Sequence, residues 1–328
     1  MSMTNESNAS PPQAIAGFWR RLGAFFLDCL ALGVVGVALG LFLADELASL
    51  GAWGRLLGFF VALIYFGILN STIAGGQTLG KRVLGLRVVA KDGTPLSVAK
   101  SALRFLPLGA PWFLNFAQFP ESVLSSFWSY VLSVAVFGIG LSIIYMYVFN
   151  RRSRQSLHDL LVGSYVVTAG TTGPVVVPAG GRAHLAVCAL LIVVSGIAPY
   201  FAKNLAASEP FASSMSIYRA VNSEPWVLNA GVYSGQTVTT TTNTGTSTTT
   251  YLYIVAHCKD PDVANAERAK RLAALALSTD ESAASVDVLQ VTLRYGYDIG
   301  IASSWRSQNH VHTPEEWNAQ SAAVQETS

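Results

Sequence analysis

Asp28 sits alone in an apolar run, LGAFFLDCLALGVVGVALGLFLA over residues 22 to 44, which carries no other charge. An ionised carboxylate at that depth in a bilayer costs up to about 3 kcal/mol on insertion scales, so something must compensate it. Arg21 lies seven residues earlier, nearly two helical turns, and shares its helix face. Helical side chains lean toward the N-terminus, which aims Arg21 at the lipid head groups and away from Asp28. The partner must come from another segment, and Asn70, Lys81 and Arg82, at the cytoplasmic end of the next apolar run, are the candidates. A carboxylate so placed either anchors helix packing or titrates as a proton or cation site.

Three other clusters carry chemistry-bearing residues. Gly75, Gly76, Gln77, Thr78, Leu79, Gly80, Lys81 and Arg82 have the outline of a phosphate-binding loop. Arg82 stands where magnesium binding needs Ser or Thr, and the segment follows an apolar helix where the motif needs a strand, so no nucleotide site is expected. Arg151, Arg152 and Arg154, with Arg20, suit anionic lipid head groups. His158 beside Asp159 has the makings of a proton shuttle, but adjacent helical residues point in different directions. Asp159 is expected instead to pin the segment LHDLLVGSYVV to the bundle. His310 and His312 near Glu315 and Glu316 are ligand-type residues in a polar tail, and no metal is expected there. The three cysteines, Cys29, Cys188 and Cys258, are scattered and form neither a disulfide framework nor a metal motif. No catalytic constellation is left, so neither an enzyme nor a cofactor is expected. Gly33, Gly36 and Gly40 read as a packing stripe.

The elements that must position these residues follow from composition. Of 328 residues 51% are hydrophobic and 12% charged, with a mean hydropathy of +0.41; soluble domains carry about 25% charge. This is a membrane composition, and it excludes a disordered chain, a coiled coil and a basic nucleic-acid binder. Apolar spans are read at 22 to 44, 55 to 73, 104 to 119, 124 to 149 and 183 to 202. The third, interrupted by Pro107 and Pro111, reads as a span, a re-entrant segment or an interfacial helix. If it crosses, 12 Lys and Arg from Arg20 to Arg182 fall on one side; if it does not, Arg151, Arg152 and Arg154 land outside, against the positive-inside tendency. Five spans with a cytoplasmic N-terminus are therefore expected. The first 17 residues read as a flexible tail and not as a cleavable signal peptide.

From about residue 206 the pattern is that of a soluble domain. Residues 1 to 205 carry 14 basic and 7 acidic side chains, residues 206 to 328 carry 7 and 12. A helix around 208 to 222 precedes two Thr-rich strands flanking Asn243, Thr244 and Gly245. A helix opening at Asp260, Pro261 and Asp262 follows, then a strand from Val286 to Tyr295 with a slip near Leu289, giving the order α, β, β, α, β, β. Leu84 to Leu96, with Asp92-Gly93 at its turn, reads as a short cytoplasmic hairpin under the bundle, and Ser97 as the cap of the next helix.

The string from Arg20 through Asp28, then Gly76 to Arg82 with Leu86 to Val89 and Asp92-Gly93, then Gln155 to Asp159 with Val166 and Val167, resembles the RDD family of membrane proteins. The resemblance covers about residues 14 to 168. It implies that the arginine and two aspartates of the family name are Arg21, Asp28 and Asp159, and that the bundle moves a small solute, with cation/proton exchange among the expectations. It leaves the fifth span and the outer domain unaccounted for.

The fold expected is a membrane all-α bundle of about five transmembrane helices followed by a small extracytoplasmic α+β domain. Its parts are a tail at 1–17, an RDD-like four-helix domain at 18–168, a linker at 169–182, a fifth helix at 183–202, the α+β domain at 203–307 and a flexible tail at 308–328. The setting expected is a prokaryotic plasma membrane. Transport would use Arg21, Asp28 and Asp159, with Asn70, Lys81, Arg82 and His158 as partners, in a homo-oligomer because four spans make a thin pore. The competing expectation is a membrane scaffold or sensor whose 203–307 domain binds an envelope protein.

Overall fold

A computed structural model describes residues 15–176, 181–209, 211–241 and 245–325. The chain divides into two compact units: one holds the chain up to Leu39 with Arg55–Pro199 and Ile299–Ala302, the other Gly40–Gly54, Tyr200–Asp298 and the chain from Ser303 onward.

The first unit is helical. It runs through α1 (Phe18–Ser49), which kinks at Leu43, then α2 (Gly54–Leu69), α3 (Leu79–Val83), β1 (Leu86–Ala90), α4 (Val98–Leu114) and α5 (Glu121–Leu124). Next come α6 (Trp128–Ser133), a π-helical stretch Val134–Ile139, α7 (Gly140–Phe149), α8 (Leu157–Val162), β2 (Ser164–Thr168) and α9 (Arg182–Ala206). Among the described residues four helical stretches are long and apolar enough to cross a membrane: Phe18–Ser49, Gly51–Leu69, Trp128–Phe149 and Arg182–Ala206. Their polarity is inverted relative to a soluble bundle: Val34, Ile64 and Ile144 are exposed, while Asp28 is fully buried. That arrangement is stable where the surrounding solvent is hydrocarbon. The stretch read at 104 to 119 falls on α4, which starts at the Ser97 cap, contains Pro107 and Pro111, and is not among those four stretches.

The hairpin expected within Leu84–Leu96 does not form. The turn closes, with the Ala90 N–H donating to Thr94 at 2.7 Å, but Pro95 lacks the N–H that a returning strand needs. β1 pairs instead with β2, antiparallel, with Val88 opposite Val166. Ile15 bridges Val167 on the other edge of β2. Leu86, Val88 and Val166 bury a small core with Ala16, Ala24 and Leu96. The start of the expected linker lies along β1, where the Val175 N–H donates to Lys91 at 2.8 Å; residues 177–180 of that linker, and 1–14 of the expected N-terminal tail, lie outside the described residues.

The second unit has α10 (Phe211–Asn222), β3 (Val227–Thr241), β4 (Gly245–Cys258), α11 (Ala266–Thr279), β5 (Val288–Asp298), β6 (Ser303–His312) and α12 (Pro314–Gln325). The sheet order is β3-β4-β5-β6, with β4 and β5 parallel and the other pairs antiparallel. One core joins Ile217, Leu272 and Trp317 of the helices to Ile254 and Val291 of the sheet. The Thr-rich segments form the β3 and β4 strands, and the turn expected at Asn243 and Thr244 lies outside the described residues.

Three expectations here are corrected. α11 opens at Ala266, capped by Asn265, because Asp260 is held by both terminal nitrogens of Arg268 at 2.7 and 2.9 Å. β5 pairs without a slip: its buried alternation begins at Leu289 and continues through Val291 and Leu293, and Val286 precedes the strand. The segment from 308 is no loose tail, for β6 pairs along all of β5 up to Leu289↔His312, and α12 buries Trp317, whose indole N–H donates to the Leu289 carbonyl at 2.9 Å. Thr313, Pro314 and Glu316 form a capping box, with bonds of 3.0 and 3.3 Å, that starts this helix.

Candidate functional site

The helical unit buries two carboxylates at one end, each in its own shell of donors. Asp28 receives the Thr78 hydroxyl at 2.6 Å, the Gly80 N–H at 2.8 Å and the Tyr65 hydroxyl at 2.8 Å. Lys81 lies 3.8 Å away as its ion-pair partner. Local sequence builds this cradle. Gly76 takes a φ of 76° and lies against the Val88 carbonyl, where a Cβ would clash. Thr78 caps α3 through the Lys81 N–H, and Gly80 lets α3 approach the α1 backbone at Ala24. The loop that looked like a phosphate cradle thus holds an anion of its own chain.

Asp159 receives Arg104 twice, Nε at 2.9 Å and Nη2 at 2.6 Å, and Arg21 Nη2 at 2.7 Å. Ser164 Oγ and the Ser156 N–H add bonds of 3.2 Å each. Burial alone would raise the Asp159 pKa; the charge of Arg104, with that of Arg21 and the Arg104 hydrogen bond, reverses this and holds the carboxyl well below its usual range. His158 places Nε2 at 3.5 Å from Asp159, yet burial, reinforced by Arg104 and Arg21, pulls its pKa down to about 3, so the imidazole is neutral at pH 7. Burial and the charge of Arg104 likewise lower Lys81 to about 7 against the pull of Asp28.

Arg21 does point away from Asp28, but it is buried on Asp159 and the Arg154 carbonyl instead of being exposed. Of the proposed partners of Asp28, Lys81 is one. Arg82 is exposed and Asn70 is buried with its Oδ1 unpaired. Arg20, Arg151, Arg152 and Arg154 are all exposed, as contacts to head groups require. Arg20 and Arg154 also bind backbone carbonyls, Leu84 at 2.6 Å and Ile15 at 3.1 Å. Tyr65, Thr78 and Arg104 were not anticipated as carboxylate ligands. The signal for Thr78 was present, as an N-cap three residues before Lys81; Arg104 was indistinguishable from the rest of the basic rim.

Beside the two carboxylates lies a cavity of about 320 Å³. Arg21, Lys81, Arg104, Asn70 and His158 line its polar part, and Phe25, Phe66, Phe105, Leu108, Ile143 and Ile144 are among its apolar walls. No carboxylate lines it among the described residues. A neighbouring cavity of about 380 Å³ is lined by Arg21, Tyr147, Arg151 and Arg154. The Arg21 guanidinium, 4.8 Å from the Tyr147 ring centre, is common to both. Among the described residues no group of His, Cys, Asp or Glu is placed to hold a metal ion, His310 and His312 included.

A helical membrane bundle stapled at one end by buried ion pairs and a two-stranded sheet is the class these features define. Residues 15–163 match the RDD family model, so the similarity lies with this bundle and stops short of α9 and the α+β unit. Two proteins of Bacillus subtilis (strain 168) are each similar to slightly less than half of this chain. The uncharacterized protein YckC is 29% identical over 154 residues, 47% of this chain and 85% of its own length. The uncharacterized protein YxaI is 25% identical over 174 residues, 46% of this chain and 96% of its own length.

Proposed function

We propose that this is a multi-pass protein of a prokaryotic plasma membrane whose bundle binds a small solute in the cavity beside Arg21, Lys81 and Arg104 and passes it across the bilayer. One observation carries this: three cations line a cavity of about 320 Å³ from which both carboxylates are turned away. Drug-sized ligand sites occupy about 300–1,000 Å³. The same observation disfavours a cation site at Asp28, since its oxygens already accept three hydrogen bonds and face Lys81.

The pairing of β1 with β2 supports five spans with the N-terminus inside. It brings residues 86–90 and 164–168 to one end of the bundle, with Ile15 beside them. With α6 and α7 crossing once, the chain between them returns to that end if α4 makes the outward crossing, and this supports reading α4 as a span. α4 has 17 residues, about 25 Å at 1.5 Å per residue. The end so defined carries Arg20, Arg82, Arg87, Arg151 and Arg152, which reads as cytoplasmic. α9 then leads to an extracytoplasmic C-terminal domain.

Proteoliposomes on a solid-supported membrane test transport. Jumps in small organic anions should give transient currents that Arg104→Met abolishes, while jumps in sodium or potassium should give none. Currents carried by the cations and lost in Asp28→Asn would reverse the assignment. Chemical crosslinking in membranes should also recover a homo-oligomer. A second reading, an envelope-binding scaffold, is favoured by the sheet face away from the helices, where Tyr251 and Tyr253 stack at 4.3 Å and Tyr233 is exposed. A photo-crosslinker at position 233 of the full chain in cells should then capture a discrete envelope protein.

A further inference from the structure

Building on the reading of the cavity as a solute site, we infer that its ligand is a single-chain amphiphilic monoanion, with its head group at Lys81 and its tail along the apolar walls toward the bilayer. The charge balance of the cluster points to a monoanion. Once an anion beside it holds Lys81 protonated against the burial and the Arg104 charge that lower it to about 7, Arg21, Lys81 and Arg104 bring three positive charges against two negative ones from Asp28 and Asp159, and His158 contributes none. Arg21 and Arg104 are both bound directly to Asp159, whereas Lys81 stands off at 3.8 Å from Asp28 and 3.2 Å from the Thr78 hydroxyl. A buried surplus charge is costly without a counter-charge, and Lys81 is the cation with capacity for one.

Two unpaired polar atoms belong to residues of the cavity wall. Asn70 is 2% exposed and His158 3% exposed, both line the cavity, and Asn70 Oδ1 and His158 Nδ1 have no hydrogen-bond partner. Buried polar atoms are rarely left so. Both groups adapt to an acidic head group, since the Asn amide can present either end and the imidazole either tautomer.

The rest of the wall points to a tail. Phe66, Phe105 and Leu108 give a small hydrated anion nothing to bind, while they suit an acyl chain. Leu22 and Phe25 of α1 and Ile144 and Val148 of α7 line the cavity and are also exposed on the outside of the bundle. The cavity therefore opens sideways between α1 and α7, onto the surface that hydrocarbon covers.

Native mass spectrometry of the full chain in a neutral detergent tests this, with laurate, dodecanol and acetate as probes and phosphatidylglycerol as competitor. Laurate should bind saturably with one equivalent per chain, and dodecanol and acetate should not. Lys81→Met should weaken laurate binding at least tenfold. Leu108→Trp, which fills the tail region and leaves every charge in place, should abolish it with an unchanged thermal unfolding midpoint. Displacement of laurate by phosphatidylglycerol would support the site and name the bilayer's own lipid as its source. Equal binding of dodecanol, full competition by acetate, or laurate binding indifferent to both variants would overturn the inference. So would absence of binding; anion-driven currents persisting in that case would leave transport standing and remove only the amphiphile, whereas loss of both would remove both.

Discussion

Asp28 and Lys81 are each buried within 3.8 Å of the other, so neutralising one strands the other. Asp28→Asn should lower stability by about 3–5 kcal/mol, the usual result of removing one partner of a buried pair. Lys81→Met should cost less, because Tyr65, Thr78 and Gly80 still solvate the carboxylate. The double variant should be more stable than the sum of the two predicts, a coupling that detergent-solubilised thermal unfolding can read. Strict additivity would refute the pair. A pH prediction follows from His158, whose pKa is near 3 in the folded state, against 6.5 for an unperturbed histidine. Between those values the unfolded chain binds a proton that the folded chain refuses, so stability falls as pH falls from about 6.5 toward 3. Denaturation at pH 4 and 7 should show a smaller difference in His158→Asn than in the parent protein. At this scale the sequence made Asp28 conspicuous through contrast with its apolar neighbours. It hid Arg104, since a charge a few residues inside a helix start looks the same whether it meets solvent or a carboxylate 55 positions away.

The elements that hold these residues depend on a few close approaches. Gly80→Ala would drive a Cβ into the Ala24 carbonyl and displace the N–H that serves Asp28. It should destabilise by about 1–3 kcal/mol, whereas Gly170→Ala, with nothing within 4 Å, should stay within about 0.5 kcal/mol of the parent. In the second unit Trp317→Ala should cost about 3–5 kcal/mol and expose α12 to protease, because it removes a fully buried ring and its bond to Leu289. Helices here were legible from apolar runs and caps such as Ser97. Strand partners were not, because periodicity says which face is buried but not which strand supplies the neighbour. The turn at Asp92-Gly93 is genuine, yet the partner of β1 lies more than seventy residues later. The polar composition of β6 concealed an edge strand, and the capping box at Thr313 was the overlooked sign that order continued beyond it.

For the whole molecule the decisive prediction concerns sidedness. In a background with Cys29, Cys188 and Cys258 replaced, single cysteines at Arg82 and Arg152 should react with an impermeant maleimide only after permeabilisation, and a cysteine at Ser307 should react in intact cells. All three positions are exposed. Labelling of 82 and 152 from opposite sides would contradict both the β1–β2 pair and the crossing assigned to α4. Composition had announced a membrane protein and its two bodies, since the charge balance reverses sign near residue 205.

The order in which the chain is made adds a consequence to the Asp159 cluster. Arg21 and Arg104 leave the ribosome well before Asp159, so while the first helices are being inserted both arginines are bare cations. Under the proposed orientation, in that interval they can act as retention signals that hold their end of each helix on the cytoplasmic face. Once α8 is made, Asp159 neutralises them and they vanish into the interior. The same two side chains would thus first steer insertion and afterwards lock the finished bundle.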